Sequence, residues 1–552
     1  ITSEKNKHGV IISNGTSSIT NKGTIQNLGN GANGIDAMDS TIKTLNNSGS
    51  IITTGLGAIN FKNTTIQTLH NSGLLQARNG IYFWSGAKIQ TLDNSGAIKG
   101  GKGIFLRGSG EIQTFKNSGT IDATNYAIQL DGGNNIIKDF INDGTIKGKN
   151  AGFLSSKNST IENFTNNGTI EGLNGFKFNG GAIQTFKNTG TIESKDKNGD
   201  GVNFYSNTNV PVNIKDFINK GTIKGGARGI SLYSNTTIEN FTNSGTIKGN
   251  QGVSIIQNNQ KIQTFKNTGT IDAENTGVYF GGSNITTKDF INDGIIKAKK
   301  NQGIFLYGGG TIENFTNNGT INAGNSGLWI QNESKIKTLV NKGTITGQNH
   351  GIIAINADYD HIIIDGGKIE SKRSAIQIQS SVTKGDRIEK IDIKNNAIIS
   401  SDGSAALAIF KNATIENLNI DHSTLSGFID GIYNEGTIEN INMTQSKLIG
   451  GEVGIFNNGI INYGIKVGNG ASISGGVGIY NQGQAQINGD IEVSGGSIKG
   501  GIINTDNGNI SGSISVSDGG KLDNIVNSGN SSIKGDITVG EGSTVGSITN
   551  DG

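Results

Sequence analysis

Cysteine is absent from the 552 residues, so the chain has no disulfide, no thiolate metal site and no cysteine nucleophile. Such a composition fits a protein that crosses an oxidising compartment and must avoid mispairing there. Histidine is nearly as scarce, with five residues (His8, His70, His350, His361 and His422) dispersed along the chain. No Gly-x-Ser-x-Gly or Gly-Asp-Ser-Gly nucleophile context occurs, and the expectation is that the chain is not an enzyme and carries no cofactor. No apolar run approaches the roughly 20 residues of a membrane-spanning helix. Charge of either sign is also lacking in excess: 46 Lys and Arg face 44 Asp and Glu, a net +2. Without a basic surplus to neutralise phosphates, no nucleic-acid partner is expected. Apolar residues make up 33%, while Gly numbers 87 against a single Pro. That balance alone would permit disorder. The regular register of Ile, Phe and Leu argues against it.

What is present is a phrase: apolar, any, Asn, any, Gly, any, Ile or Leu. It recurs about every 24 residues, at Asn21, Asn47, Asn71, Asn94, Asn117, Asn142, Asn166, Asn188, Asn219, Asn243, Asn267, Asn292, Asn317 and Asn341. After a blurred stretch it returns at Asn434, Asn457, Asn481 and Asn527, with Asn504 a weaker copy. A fixed period of this length means stacked repeats.

Within one repeat, Phe115-Lys-Asn117-Ser-Gly119-Thr-Ile121-Asp-Ala123 alternates with period 2, which is the strand period. A second run follows (Gly103 to Leu106, Gly229 to Leu232, Gly277 to Phe280), and a third apolar point precedes the first (Ile112, Ile161, Ile238, Ile312). No window sustains a 3.6 period, and the frequent Gly would weaken a helix. The reading is an all-β parallel β-helix, a β-solenoid with three short strands per coil and about 23 coils at the observed period. Stacking sets like over like. Phe115, Phe140, Phe164, Phe186, Phe217, Phe241, Phe265, Phe290 and Phe315 should form an aromatic column. The inward Asn should form a ladder of amides bonded coil to coil, since a buried amide left unbonded costs several kcal/mol.

A three-coil block also repeats. Ile-Gln-Thr-Phe, Ile-Lys-Asp-Phe and Ile-Glu-Asn-Phe occur in that order at 112–115, 137–140 and 161–164, and twice more downstream, with Thr287 replacing Ile once. The outward position then cycles Gln113, Lys138, Glu162, which keeps like charges apart and sets Lys beside Glu. Residues 1–355 read as regular coils, 356–430 as divergent coils and 431–552 as Gly- and Ser-rich coils of one continuous solenoid. The start at Ile1, without Met or a signal-type segment, reads as a processed product or a trimmed chain. The end at Asn550-Asp551-Gly552, without a polar cap, leads us to expect further sequence beyond it.

Candidate chemistry is sparse. Asn504-Thr505-Asp506 faintly echoes a motif of solenoid polysaccharide hydrolases, which need several carboxylates on one face. Asp196, Asn198 and Asp200 match the first half of a calcium loop, but its twelfth position is Asn207 rather than Glu, so a polar surface loop is the simpler reading. Asp358-Tyr359-Asp360-His361 is a second acidic cluster whose neighbours face opposite ways along a strand. No metal is assigned to either. More telling is the second run, where the outward positions carry Tyr82, Trp84, Phe105, Tyr205, Tyr233, Tyr279, Phe305, Tyr307 and Trp329. Stacked, these would make an exposed aromatic stripe able to bind sugar faces or anchor a protein interface, unless loops cover it.

The phrases Asn-Ser-Gly-Thr-Ile (Asn117 to Ile121, Asn243 to Ile247) and Asn-Asn-Gly-Thr-Ile (Asn166 to Ile170, Asn317 to Ile321) resemble those of the passenger domains of Gram-negative autotransporters. The likeness covers nearly the whole chain and is one of repeat style. It implies a right-handed parallel β-helix, export through the periplasm and outer membrane, display at the cell surface or secretion, and a native chain that continues into a membrane β-barrel. Neither the protease nor the lipase module of that family is found. What remains is an adhesin, a virulence-type surface protein attaching to a host-cell glycan or protein, or to another copy of itself. The alternatives are a structural surface-layer or spacer rod and a tailspike-like polysaccharide-processing solenoid.

Overall fold

A computed structural model describes residues 1–2, 7–27, 31–206, 210–381 and 387–551. Among them there is no helix, and the chain winds into about 22 coils of about 24 residues, stacked in parallel. Contacts divide it into two compact units, Ile1–Ala273 and Glu274–Gly552. Each is a β-solenoid.

One coil of the first unit shows why the sequence folds this way. Its three strands are Ile136–Asn142, Thr145–Gly148 and Ala151–Ser155, and the next coil repeats them at Ser159–Asn166, Thr169–Gly172 and Asn174–Asn179. Ile137 lies over Ile161, Phe140 over Phe164, Ile146 over Ile170 and Phe153 over Phe176. All eight are buried. The run Phe115–Ala123, which alternates without a break in sequence, is not one strand. It turns a corner at Ser118-Gly119, because Asn117 turns inward and holds the bend. A Cβ on Gly119 would lie 2.1 Å from the carbonyl oxygen of Gly96 in the coil before, so the corner has no room for a side chain.

In the first unit, the ring centroids from Phe115 through Phe265 follow one another at 4.4–4.9 Å, the spacing of adjacent strands. In the second unit Phe290 and Phe315 stack at 5.1 Å. Beside the rings runs the amide ladder. From Asn21 to Asn267 each Nδ2 donates to the Oδ1 of the Asn one coil on, at 2.7–2.9 Å. The same Nδ2 also reaches the carbonyl of the corner Gly two residues later, as Asn166 does to Gly168 at 3.2 Å. The amide therefore closes its own corner and joins it to the next.

In the second unit the ladder runs Asn292, Asn317, Asn341 and then stops. The positions stacked beyond Asn341 are Ile364, Ile393, Ile420 and Met443. The terminal amide of Asn341 turns to the carbonyls of Gly343 and Lys368, at 3.1 and 3.3 Å. A second ladder, Asn434, Asn457, Asn481, Asn504, Asn527 and Asn550, has links of 2.7–2.8 Å. It is not a continuation of the first. Asn434 stacks on Ile409, Ile378, Ala354, Ile330 and Leu306, a column of the third strand. The phrase has moved from the corner after the first strand to the corner after the third. One motif serves both because it encodes a corner, not a place in the coil. The described residues of the divergent stretch form ordinary coils in parallel register, such as Arg387–Lys394 on Asp358–Asp365.

The outward charge cycle stacks in the expected order, with Lys138 beside Glu162 and Lys215 beside Glu239. Adjacency does not make ion pairs of them: among the described residues neither couple pairs, and the one ion pair that includes a member of this cycle is Lys337–Glu313 at 3.7 Å. What the three-coil block brings together is the neighbouring outward row, where Asn163 donates to Asp139, Asn240 to Asp216 and Asn314 to Asp289 at 2.8–2.9 Å. Alternating ion pairs occur instead on the second strand: Lys147–Glu171 at 3.5 Å, Glu193–Lys224 at 2.7 Å and Lys248–Asp272 at 3.9 Å.

Candidate functional site

The second and third strands of a coil meet at a bend where two consecutive residues turn inward, the first of them small. Gly201 and Val202, and Gly229 and Ile230, are such pairs. A Cβ on Gly229 would come within 2.5 Å of Ile247 Cγ2 and 2.7 Å of the Gly252 carbonyl. With two residues inward, the outward side chains on either side of the bend, three apart in sequence, converge. Asn203 Nδ2 donates to Asp200 Oδ2 at 2.6 Å, Ser254 Oγ to Gln251 Oε1 at 2.8 Å, and Lys102 Nζ sits 3.3 Å from the centroid of the Phe105 ring. The outer surface is thus concave along the third strand. This valley is where most of the aromatic residues singled out by sequence lie.

They form three clusters, not a continuous exposed stripe. In the first unit, Tyr82 and Phe105 stack at 5.2 Å on the valley floor and are only 4% and 6% exposed, whereas Trp84, 6.3 Å from Tyr82, is 45% exposed on the rim. Burial against the ring lowers the pKa of Lys102, with Asp131 opposing. The row then continues as Gln129, Leu154, Lys177 and Asn203, which breaks the stripe. Tyr205 and Tyr233 meet edge to face at 5.6 Å, two residues further along the strand, with Arg228 donating to the Tyr233 hydroxyl at 2.8 Å. Burial raises the pKa of that phenol. In the second unit, Phe305 gathers Tyr279, Tyr307 and Trp329 at 5.5–5.8 Å. Tyr307 is 41% exposed, and Trp329 Nε1 is buried without a hydrogen-bond partner among the described residues. The sequence places every ring on one face. The convergence across the bend, which sequence alone does not show, covers Tyr82 and Phe105.

A fourth cluster escaped the sequence reading. Phe410, Tyr433, Phe456 and Tyr480 follow one another at 5.2–5.9 Å, and Tyr433 and Phe456 lie parallel within 5°. They line a groove of about 540 Å3 together with Asp430 and Glu452. The signal was present as Ile432-Tyr433-Asn434, Ile455-Phe456-Asn457 and Ile479-Tyr480-Asn481. Read with the phrase at its first corner, these rings fall on the first strand. With the phrase at the later corner they fall in the valley of the third. Burial, then the neighbouring Glu452 carboxylate, push the Asp430 pKa up to about 6. Burial and a 2.7 Å hydrogen bond to Glu435 push the Tyr433 phenol up.

The remaining candidates are engaged in structure. Asp200 lies on the strand Asp200–Tyr205, where its carboxylate accepts from Asn203 and Ser231 and pairs with Arg228 at 3.5 Å. Asp196 Oδ1 instead accepts the backbone N–H of Asn198. The half calcium loop is therefore divided between a turn and the valley, and Asn207 lies outside the described residues. Asp360 pairs with Lys335 at 2.5 Å and His361 with Asp392 at 2.8 Å. Asn504 is a rung of the second ladder. No group of three His, Asp or Glu close enough to hold a metal occurs among the described residues. No family model matches the chain, and no curated protein or solved structure matches it.

Proposed function

We propose that this chain is the surface-displayed passenger of an autotransporter and acts as an adhesin, binding a glycan or protein of another surface through the valley of its third strands. The observation that carries the reading is the segregation of side chains by face. Outward positions of the second strand hold charged residues paired with one another, while rings collect in the valley and on its rim. Rings at 41–45% exposure, beside others that are buried, form anchor points of the kind that dominate interface energetics. The buried Asn and Gly belong to the scaffold, and the repeat phrase supports the autotransporter likeness.

The test is attachment of the purified chain to host cells and to a glycan array, comparing wild type with Trp84→Ala and Tyr307→Ala. Both residues lie on the rim, so melting temperatures should change little. Binding should fall at least about tenfold if each ring contributes an anchor's energy. Unchanged binding would favour the spacer rod. Cleavage of a polysaccharide would favour the tailspike-like alternative.

A further inference from the structure

Three carboxylates are buried among the described residues: Asp36, Asp200 and Asp430. Two are satisfied. Asp36 accepts from Asn33 and Asn60, and Asp200 from Asn203 and Ser231 with Arg228 beside it. Asp430 is not. It is 7% exposed and lines the groove of Phe410, Tyr433, Phe456 and Tyr480, yet its carboxylate meets no hydrogen-bond donor or cation among the described residues. The residue three further on, which supplies the donor to Asp200, is here Tyr433, and its hydroxyl is committed to Glu435. Glu452 adds a second negative charge at the groove one coil on, and among the described residues neither Glu435 nor Glu452 is ion-paired.

A buried carboxylate without a partner is costly, and a second acid beside it raises the cost. A cation removes both penalties and gains from the ring faces. A neutral sugar could stack on the same rings and donate hydroxyls to the carboxylates, but it would leave the charge of the two acids unneutralised. We propose that this groove binds an organic cation, the ammonium or guanidinium of a lysine or arginine side chain on a protein partner, with the charge at Asp430 and Glu452 and the aliphatic stem along Tyr433 and Phe456. The stem suits the rings because long cationic side chains bury their methylenes on apolar surface while the head meets charge. The inference rests on the adhesive reading only for the partner belonging to another surface.

The test is calorimetry on the intact chain near neutral pH and low salt, with Nα-acetyl-lysine methylamide, its arginine counterpart, its uncharged norleucine counterpart and glucose as probes. The two cations should bind, norleucine at least about tenfold more weakly, and glucose should not compete. Asp430→Asn should weaken lysine binding at least about tenfold while melting at the same or a higher temperature, and exposed Glu452→Gln should weaken it less. If Asp430→Asn does not fold, Glu452→Gln and Tyr433→Leu carry the test. Equal binding of norleucine and lysine, absence of cation binding, or displacement of lysine by glucose would overturn the proposal. Cell attachment that fails while the lysine probe still binds would overturn the adhesive role alone.

Discussion

Replacing Asn166 by Ala tests whether the amide ladder holds the solenoid together. Asn166 is fully buried; it donates to Asn188 Oδ1 at 2.7 Å and accepts from Asn142 Nδ2 at 2.7 Å. Truncation leaves two buried polar groups without their ladder partner, the Oδ1 of Asn188 and one N–H of Asn142. Each orphan costs about 1–3 kcal/mol. Asn142 keeps the carbonyls of Gly144 and Thr169, at 3.2 and 3.3 Å, and the Gly168 carbonyl keeps the backbone N–H of Thr191. The total should therefore fall in the lower half of the summed range, about 2–4 kcal/mol. Stability in a stacked-repeat protein is a sum of nearest-neighbour terms, so the loss should be local. Hydrogen exchange read by mass spectrometry should show protection falling across residues 142–191 and holding within residues 434–527. The control is Asn163→Ala in the same coil, which removes an exposed 2.8 Å bond to Asp139 and should cost under about 1 kcal/mol. Equal effects of the two substitutions, or a loss of protection spread evenly along the chain, would refute the ladder as a source of stability.

Two further outcomes are expected. Phe164 is fully buried between Phe140 and Phe186, so Phe164→Ala should cost about 3–5 kcal/mol in urea unfolding. Phe164→Leu should cost less than about 1.5 kcal/mol, because Leu92 and Leu339 already occupy equivalent positions. The Asp430 carboxyl titrates at about 6 when folded, against 3.8 for its ordinary value. The folded state then binds the proton more tightly, and this group's contribution to stability falls as pH rises from 4 towards 6. Across that window, wild type should lose up to about 3 kcal/mol relative to Asp430→Asn, measured as the difference in unfolding free energy at each pH. A flat difference would mean that Asp430 is solvated or partnered.

Much of the fold was legible because a parallel stack forces each side chain onto its counterpart one coil away. The Phe column and the amide ladder follow from period and parity alone, and both stand where expected from Asn21 to Asn267 in the first unit and as far as Asn341 in the second. The corner at Ser118-Gly119 was hidden because alternation carries through it: Asn117 and Ile121 both point inward although they belong to different strands. The second ladder was hidden for a related reason. Asn-x-Gly reads the same at either corner, and only register shows that Asn434 stacks on Ile409 rather than in the column of Asn341. That shift is also why Tyr433, Phe456 and Tyr480 were not recognised as valley residues.

The repeat spacing by itself determined a solenoid of parallel strands with an apolar interior, because stacking turns periodicity along the chain into columns through space. Tertiary structure alone decided what the outer face offers. A bend with two inward residues draws together side chains three apart, buries Tyr82 and Phe105, satisfies Asp200 and leaves Asp430 facing a groove of rings. Such outcomes depend on angles at a corner and on which neighbour supplies a donor. A pattern of apolar and polar letters records neither.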